Sequence, residues 1–174
     1  KYDFRHYLSD KLNLNYGLNS IYYRFNPGTI RPFDEKSPVI PDQLARKYAF
    51  ENALYLSAEQ KISKKLSFNY GLRYSYFQRL GNETVNTYTN NEAVVYNPEL
   101  HIYEEGTASG TIHYGNNKKV ADFGNIEPRF AAAYAFNNNQ SVKASYNRMS
   151  QYIHLISNTA SVSPLDIWAP SDQY

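Results

Sequence analysis

Residues 46–80 constrain this chain more than any other stretch, because they hold two runs of strand periodicity separated by a short turn. From Leu66 onward, Leu66, Phe68, Tyr70, Leu72, Tyr74 and Tyr76 share one parity and Ser67, Asn69, Gly71, Arg73 and Ser75 the other. Successive side chains of a strand point to opposite faces, so one face is apolar and the other polar. Folding back around Lys64 sets residues whose numbers sum to about 128 opposite each other. Leu54 then meets Tyr74, Leu56 meets Leu72 and Ala58 meets Tyr70, while Tyr55 meets Arg73, Ser57 meets Gly71 and Glu59 meets Asn69. Both runs agree on which side is apolar, and a one-residue slip would destroy that agreement. Each run spans about 15 residues, or about 50 Å, against the 5 or 6 residues usual in soluble sheets. Long alternating strands on a short turn predict an all-β fold, an antiparallel transmembrane β-barrel segment.

Composition supports that class. Eighteen Tyr and nine Phe stand against a single Met and a single Trp, a bias suited to strands and to membrane interfaces, where a ring sits in lipid and its hydroxyl in water. A mean hydropathy of −0.65 is compatible with a membrane, since polar and apolar positions cancel in any window of an alternating strand. No run of 18 apolar residues exists, which excludes a transmembrane helix. The net charge is +2, with Lys and Arg interspersed among acids, so no nucleic-acid partner is expected. The absence of cysteine removes disulfides and thiolate metal sites. No secretory leader stands at Lys1, and a chain that opens inside an alternating run reads as a piece of something longer.

Taken in order, the chain gives about six long strands in three hairpins, all part of one β-barrel domain over 1–174. Strands are expected over 2–8, 12–25, 46–62, 66–80, 126–136 and 141–152. In the first hairpin Leu8 is expected opposite Leu12, His6 opposite Leu14 and Phe4 opposite Tyr16. His6, the weak member of that apolar face, reads as an interfacial histidine and not as a ligand. In the last hairpin Phe136 is expected opposite Val142, Tyr134 opposite Ala144 and Ala132 opposite Tyr146. Three long connections follow the hairpins, 26–45, 81–125 and 153–172. The first carries Pro27, Pro32, Pro38 and Pro41, which break ladders. The second should hold a small hairpin of 100–103 with 111–114. The third reads as an ordered irregular segment anchored by Trp168. Short turns alternate with long loops, as they do between the periplasmic and extracellular ends of outer-membrane barrels. Aromatics at the long-loop ends (Tyr22, Tyr23, Phe25, Tyr48, Phe50, Tyr74, Tyr76 and Phe77) read as an outer girdle.

The text of residues 58–74, with Glu59, Lys61, Lys64 and Lys65 around the turn and Gly71-Leu72-Arg73-Tyr74 after it, resembles a hairpin of TonB-dependent receptors. Asn125-Ile-Glu-Pro-Arg-Phe130 and Lys143-Ala-Ser-Tyr-Asn-Arg-Met149, continuing to Asn158 and then Pro164-Leu-Asp-Ile-Trp168, are similar to the Bacteroidetes branch of that family. The resemblance implies a 22-stranded barrel in the bacterial outer membrane that imports a scarce ligand. It also implies a plug domain and an energy-transducing TonB-type protein, both engaged through parts of the receptor absent from this sequence.

The function expected is therefore the barrel portion of an importer, in contact with outer-membrane lipid and without enzymatic activity or cofactor. A surface lipoprotein is a further candidate partner. Glu51, Glu59, Lys61, Arg73, Glu127, Arg129 and Lys143 fall on the polar parity and are expected to face the lumen. His101, Tyr103, His113 and Trp168 are the loop residues expected to contact ligand. His101, Glu104, Glu105 and His113 lack a diagnostic metal-ligand spacing. Asn82-Glu-Thr84 matches a glycosylation acceptor that a bacterial outer membrane gives no meaning. A small outer-membrane barrel with an adhesive or structural role is the alternative. A hydrolase would need a nucleophile elbow or paired acids that this text does not show, and a soluble sandwich would need a second sheet over the long apolar face. The scarce ligand expected is of the siderophore, glycan or peptide class.

Overall fold

The computed structural model describes residues 1–43, 45–156 and 167–170. Six strands form one antiparallel sheet, β1 (Tyr2–Ser9), β2 (Leu12–Phe25), β5 (Lys47–Lys61), β6 (Leu66–Leu80), β11 (Lys119–Asn137) and β12 (Gln140–Asn147), in that spatial order. The central hairpin has the expected register, with Leu54 opposite Tyr74, Leu56 opposite Leu72 and Ser57 opposite Gly71. Ser63 makes the tight turn by accepting the backbone N–H groups of Lys65 and Leu66, each at 3.1 Å, through its hydroxyl. No helix among the described residues is long and apolar enough to cross a membrane.

The even-numbered side of the sheet is apolar and uncovered. Leu54 is 63% exposed and Leu72 52%, and Phe4, Tyr16, Leu56, Tyr74, Ile126, Phe130 and Val142 are exposed with them. The odd-numbered side is polar, yet it holds Ala49, Ala53, Ser75, Phe77, Asn125 and Glu127, all buried. This inverts the arrangement of a soluble protein, whose apolar face is the covered one.

Several details differ from the sequence expectation. A bulge at Leu8 sets Ser9, and not Leu8, opposite Leu12. In the last hairpin Tyr134 faces Val142, Ala132 faces Ala144 and Phe130 faces Tyr146, two residues away from the expected pairing. The cause is a register irregularity at Phe136 beside the turn, where Asn137 pairs with Gln140 and its side chain accepts the Asn139 N–H at 2.9 Å. An even shift leaves every side chain on its expected face. Strand β11 starts at Lys119, seven residues before the expected Ile126, and pairs with β6 through that stretch apart from a bulge at Val120. β12 ends at Asn147, not near Tyr152. Pro128 accounts for this: the β11–β12 ladder stops at Arg129, which leaves the side of β11 next to Pro128 without a strand that would require its missing N–H. Arg148 still donates its N–H to the Pro128 carbonyl at 3.1 Å, after which the chain leaves the sheet.

The long connections also contain pairing. β3 (Thr29–Ile30) pairs with β4 (Asp42–Gln43) in the first. In the second, β7 (Glu83–Tyr88) pairs with β10 (Ala108–Tyr114), and β8 (Val94–Asn97) with β9 (Ile102–Glu105). The expected pairing of 100–103 with 111–114 is thus replaced by two ladders stacked along one arm. In the third, β13 (Ile153–Ile156) pairs with β14 (Ile167–Pro170), setting the Trp168 backbone opposite Leu155 where an irregular segment was expected. The remainder of 153–172 lies outside the described residues, as does the Trp168 side chain. The expected aromatic girdle divides by parity: Tyr22, Tyr48, Phe50, Tyr74 and Tyr76 stand on the apolar side, whereas Tyr23, Phe25 and Phe77 stand on the polar one.

Close approach of β5 and β6 depends on Gly71, where a Cβ would lie 2.6 Å from the Ser57 Cβ and 2.8 Å from the Leu56 carbonyl oxygen. Gly71→Val should destabilise the sheet by about 1–3 kcal/mol through overpacking. Gly115→Ala, where an added Cβ meets nothing within 4 Å, should be near neutral. Urea unfolding of the full-length protein in detergent checks both, and equal midpoints would contradict the packing account.

Candidate functional site

The polar face brings together residues from five segments. Arg73 on β6 lies opposite Tyr55 on β5 and Glu127 on β11. Its guanidinium reaches Glu127 through Nε at 3.4 Å and, by a diagonal across the ladder, Glu51 on β5 at 3.4 Å. The Tyr23 hydroxyl on β2 donates to the second oxygen of Glu51 at 2.9 Å. Ser75 donates to Glu127 at 2.8 Å. One cation thus sits between two carboxylates, and each carboxylate has a hydroxyl on its other oxygen.

Tyr152 closes this network from above. After leaving β12 the chain folds back over the polar face, and Tyr152 stacks on Phe77 with ring centroids 5.2 Å apart and planes 5° apart. Its hydroxyl lies 2.6 Å from the Ser75 Oγ and 3.1 Å from the Ser75 carbonyl oxygen, and accepts from the Asn125 amide at 3.0 Å. Ser75 has one proton and gives it to Glu127, so Tyr152 is the donor, its single proton shared between the Ser75 Oγ and the Ser75 carbonyl oxygen. Phe77 also stacks on Phe123 at 6.4 Å. Ala49, Phe77 and Tyr152 form the one buried apolar cluster among the described residues, with Tyr23, Phe25, Phe123 and Ile153 packed against it. Beside it lies a cavity of about 360 Å³ lined by Tyr23, Phe25, Glu51, Gln151 and Tyr152.

Three of the seven residues expected on the inner wall, Glu51, Arg73 and Glu127, therefore converge. Glu59 stands apart, paired with Arg5 at 2.8 Å and accepting from Asn15 at 3.3 Å. Lys61 and Lys143 line a second cavity of about 500 Å³ near the short turns, with Lys11, Glu59, Ser67, Ala131 and Ala133. Arg129 is exposed and makes no ion pair among the described residues. On the arm, His101 contacts the Tyr96 hydroxyl at 3.0 Å, Tyr103 packs against Tyr96 at 5.2 Å, and His113 contacts Thr84 at 3.1 Å. Glu104 accepts from Asn97 and Glu105 from Tyr88. These side chains sit on different ladders, and no cluster of three metal-ligating groups forms among the described residues. Sequence reasoning missed Tyr23, Ser75, Asn125 and Tyr152. The first three carry a signal, polar groups on the parity of Arg73, but Tyr152 lies off the ladder and its position depends on the reversal after Asn147.

A family model described as "TonB dependent receptor-like, beta-barrel" matches residues 1–163. No curated protein and no solved structure matches the chain.

Breaking a buried ion pair by removing one partner costs about 3–5 kcal/mol, and Arg73 keeps 23% of its side chain exposed. Arg73→Ala should therefore cost about 2 kcal/mol, and Tyr152→Phe about 1 kcal/mol from the lost hydrogen bonds. Both are measurable as shifts in urea midpoint of the full-length receptor. An unchanged midpoint for Arg73→Ala would show that the network does not hold the sheet.

Proposed function

We propose, from the premise that this chain belongs to the TonB-dependent receptor β-barrel family, that its odd-numbered face lines the import path of the receptor. The family is a transport family of the bacterial outer membrane, without enzymatic activity, whose members work with a plug domain and TonB. Residues 1–174 contribute one stretch of a single barrel domain. The observation that carries the reading is the inverted burial: Leu54, Leu56, Leu72 and Tyr74 lie open on a face that packs against no other part of the described protein, while Ser75 and Glu127 are buried on the opposite one. A wall with lipid outside and a polar path inside requires this arrangement.

The outer edges of β1 and β12 carry no further strand among the described residues. In hydrocarbon an unpaired backbone group costs several kcal/mol, so further strands close the sheet at both edges. Glu51, Glu59, Lys61, Arg73, Glu127, Arg129 and Lys143 solvate the inner wall and meet the plug. The cavity beside Tyr23 and Tyr152 narrows the path near the long connections, where arriving ligand first meets aromatic rings and the Glu51 carboxylate. The ligand is a scarce one, caught by loops 26–45, 81–125 and 153–172 outside the cell, with His101, Tyr103, His113 and Trp168 among the contacts. The text around Asn125–Phe130 and Lys143–Asn158 supports a place in the Bacteroidetes branch and, with it, a surface lipoprotein as partner.

An epitope inserted after Ser109 in the full-length receptor tests the orientation. The reading predicts antibody binding on intact cells. Detection only after permeabilisation would reverse the topology and move the ligand-catching loops to the wrong side.

A further inference from the structure

The arm built by β7 to β10 has neither face covered. β8 and β9 pair only with each other, and directly opposed residues put Val94, Tyr96, Tyr103 and Glu105 on one face and Val95, Asn97, Ile102 and Glu104 on the other. Val94 is 61% exposed, Tyr103 74%, and Leu100 at the turn 62%. A two-stranded hairpin without a covered apolar face is marginal in water, and contiguous exposed apolar side chains rimmed by polar ones mark interaction sites.

Charge selects the occupant. Residues 81–117 contain five glutamates (Glu83, Glu92, Glu99, Glu104 and Glu105) and no lysine, arginine or aspartate, in a chain whose net charge is +2. Glu83 is neutralised by Arg79 at the foot of the arm. Glu92, Glu99, Glu104 and Glu105 make no ion pair among the described residues, and all four are exposed around the hairpin. Asn97 and Tyr88 donate neutral hydrogen bonds to Glu104 and Glu105, which orient those carboxylates and leave their charge uncompensated.

We propose that the Val94–Tyr96–Tyr103 face is a docking surface for a polypeptide segment whose apolar residues are flanked at both ends by lysine or arginine. The apolar side chains of the segment cover Val94, Tyr96 and Tyr103, whose two rings pack at a tilt, and its cations pair with Glu105 on the same face and with Glu92 and Glu99 at the two ends of the hairpin. This inference rests on the arm being accessible from outside the cell, which the Ser109 epitope decides separately.

The test uses the purified full-length receptor in phosphatidylcholine nanodiscs, so that the membrane itself contributes no net charge. The probe is a fluorescent 12-residue peptide with a central block of leucine flanked by lysine at both ends, compared with peptides in which leucine is replaced by serine or lysine by glutamate. Saturable binding of the lysine–leucine peptide is expected, weakened about fivefold in the triple variant E92Q/E99Q/E105Q, since three exposed ion pairs of modest strength add to about that factor. Y96S/Y103S should weaken it comparably, with the heat-modifiable gel mobility of both variants unchanged. Because the arm stands off the sheet, a variant whose mobility did change would contradict the independence on which the proposal depends. Equal binding of the lysine–serine peptide, or an effect of the glutamate variant without one of Y96S/Y103S, would reduce the site to diffuse electrostatic attraction and overturn the proposal.

Discussion

Every other feature of this protein depends on the requirement that a backbone placed in hydrocarbon find its hydrogen-bond partners in the next strand. That requirement explains why the ladders here are long and continuous. β5 is paired on both sides from Tyr48 to Gln60, by β2 and by β6, and the connections leave the sheet only at its ends. Once the backbone is satisfied in this way, the side chains are free to differ completely between the two faces. The exposed leucines of one face and the buried glutamate of the other follow from the same ladder.

On the polar face, a second constraint shapes the chain. Glu127 is buried, and a buried carboxylate persists only with partners. Arg73 and Ser75 supply them, and Tyr152 then needs a partner for its own hydroxyl, which Ser75 and Asn125 provide. The reversal of the chain after Asn147 is part of this network, because it carries the Tyr152 ring onto Phe77. The polar face near the long connections is consequently a small aromatic core with a charged floor.

Legibility in the sequence followed the apolar alternation. From Leu66 to Tyr74 every even position is apolar and every odd one small or polar, and there the register could be read to the residue. Beyond that stretch the ladder continues but the even positions are no longer uniformly apolar. Asp122, on the even parity, accepts from Tyr76 at 2.6 Å and pairs with Lys119 at 3.0 Å, so residues 119–125 looked like loop although they form strand. The two-residue shift in the last hairpin arose from an irregularity at Phe136 that has no compositional signature. In the long connection, strand-forming segments were visible around Ile102 and Ile112, but not which partner each would take, since pairing between short runs depends on closure and not on pattern. Of the inner-wall candidates, parity named Glu51, Arg73 and Glu127; it could not distinguish these three, brought together across neighbouring strands, from Arg129 or Lys143 on the same face.

The central claim is that the sheet separates lipid from a polar interior by the parity of its residues. Single nitroxide labels at Leu54 and Leu72, and at Ser57 and Asn69, in the full-length receptor reconstituted in bilayers measure this directly through relative accessibility to oxygen and to a water-soluble nickel chelate. The account predicts oxygen preference at Leu54 and Leu72 and nickel preference, or protection from both, at Ser57 and Asn69. Labels at adjacent positions that report the same lipid-like environment would contradict it.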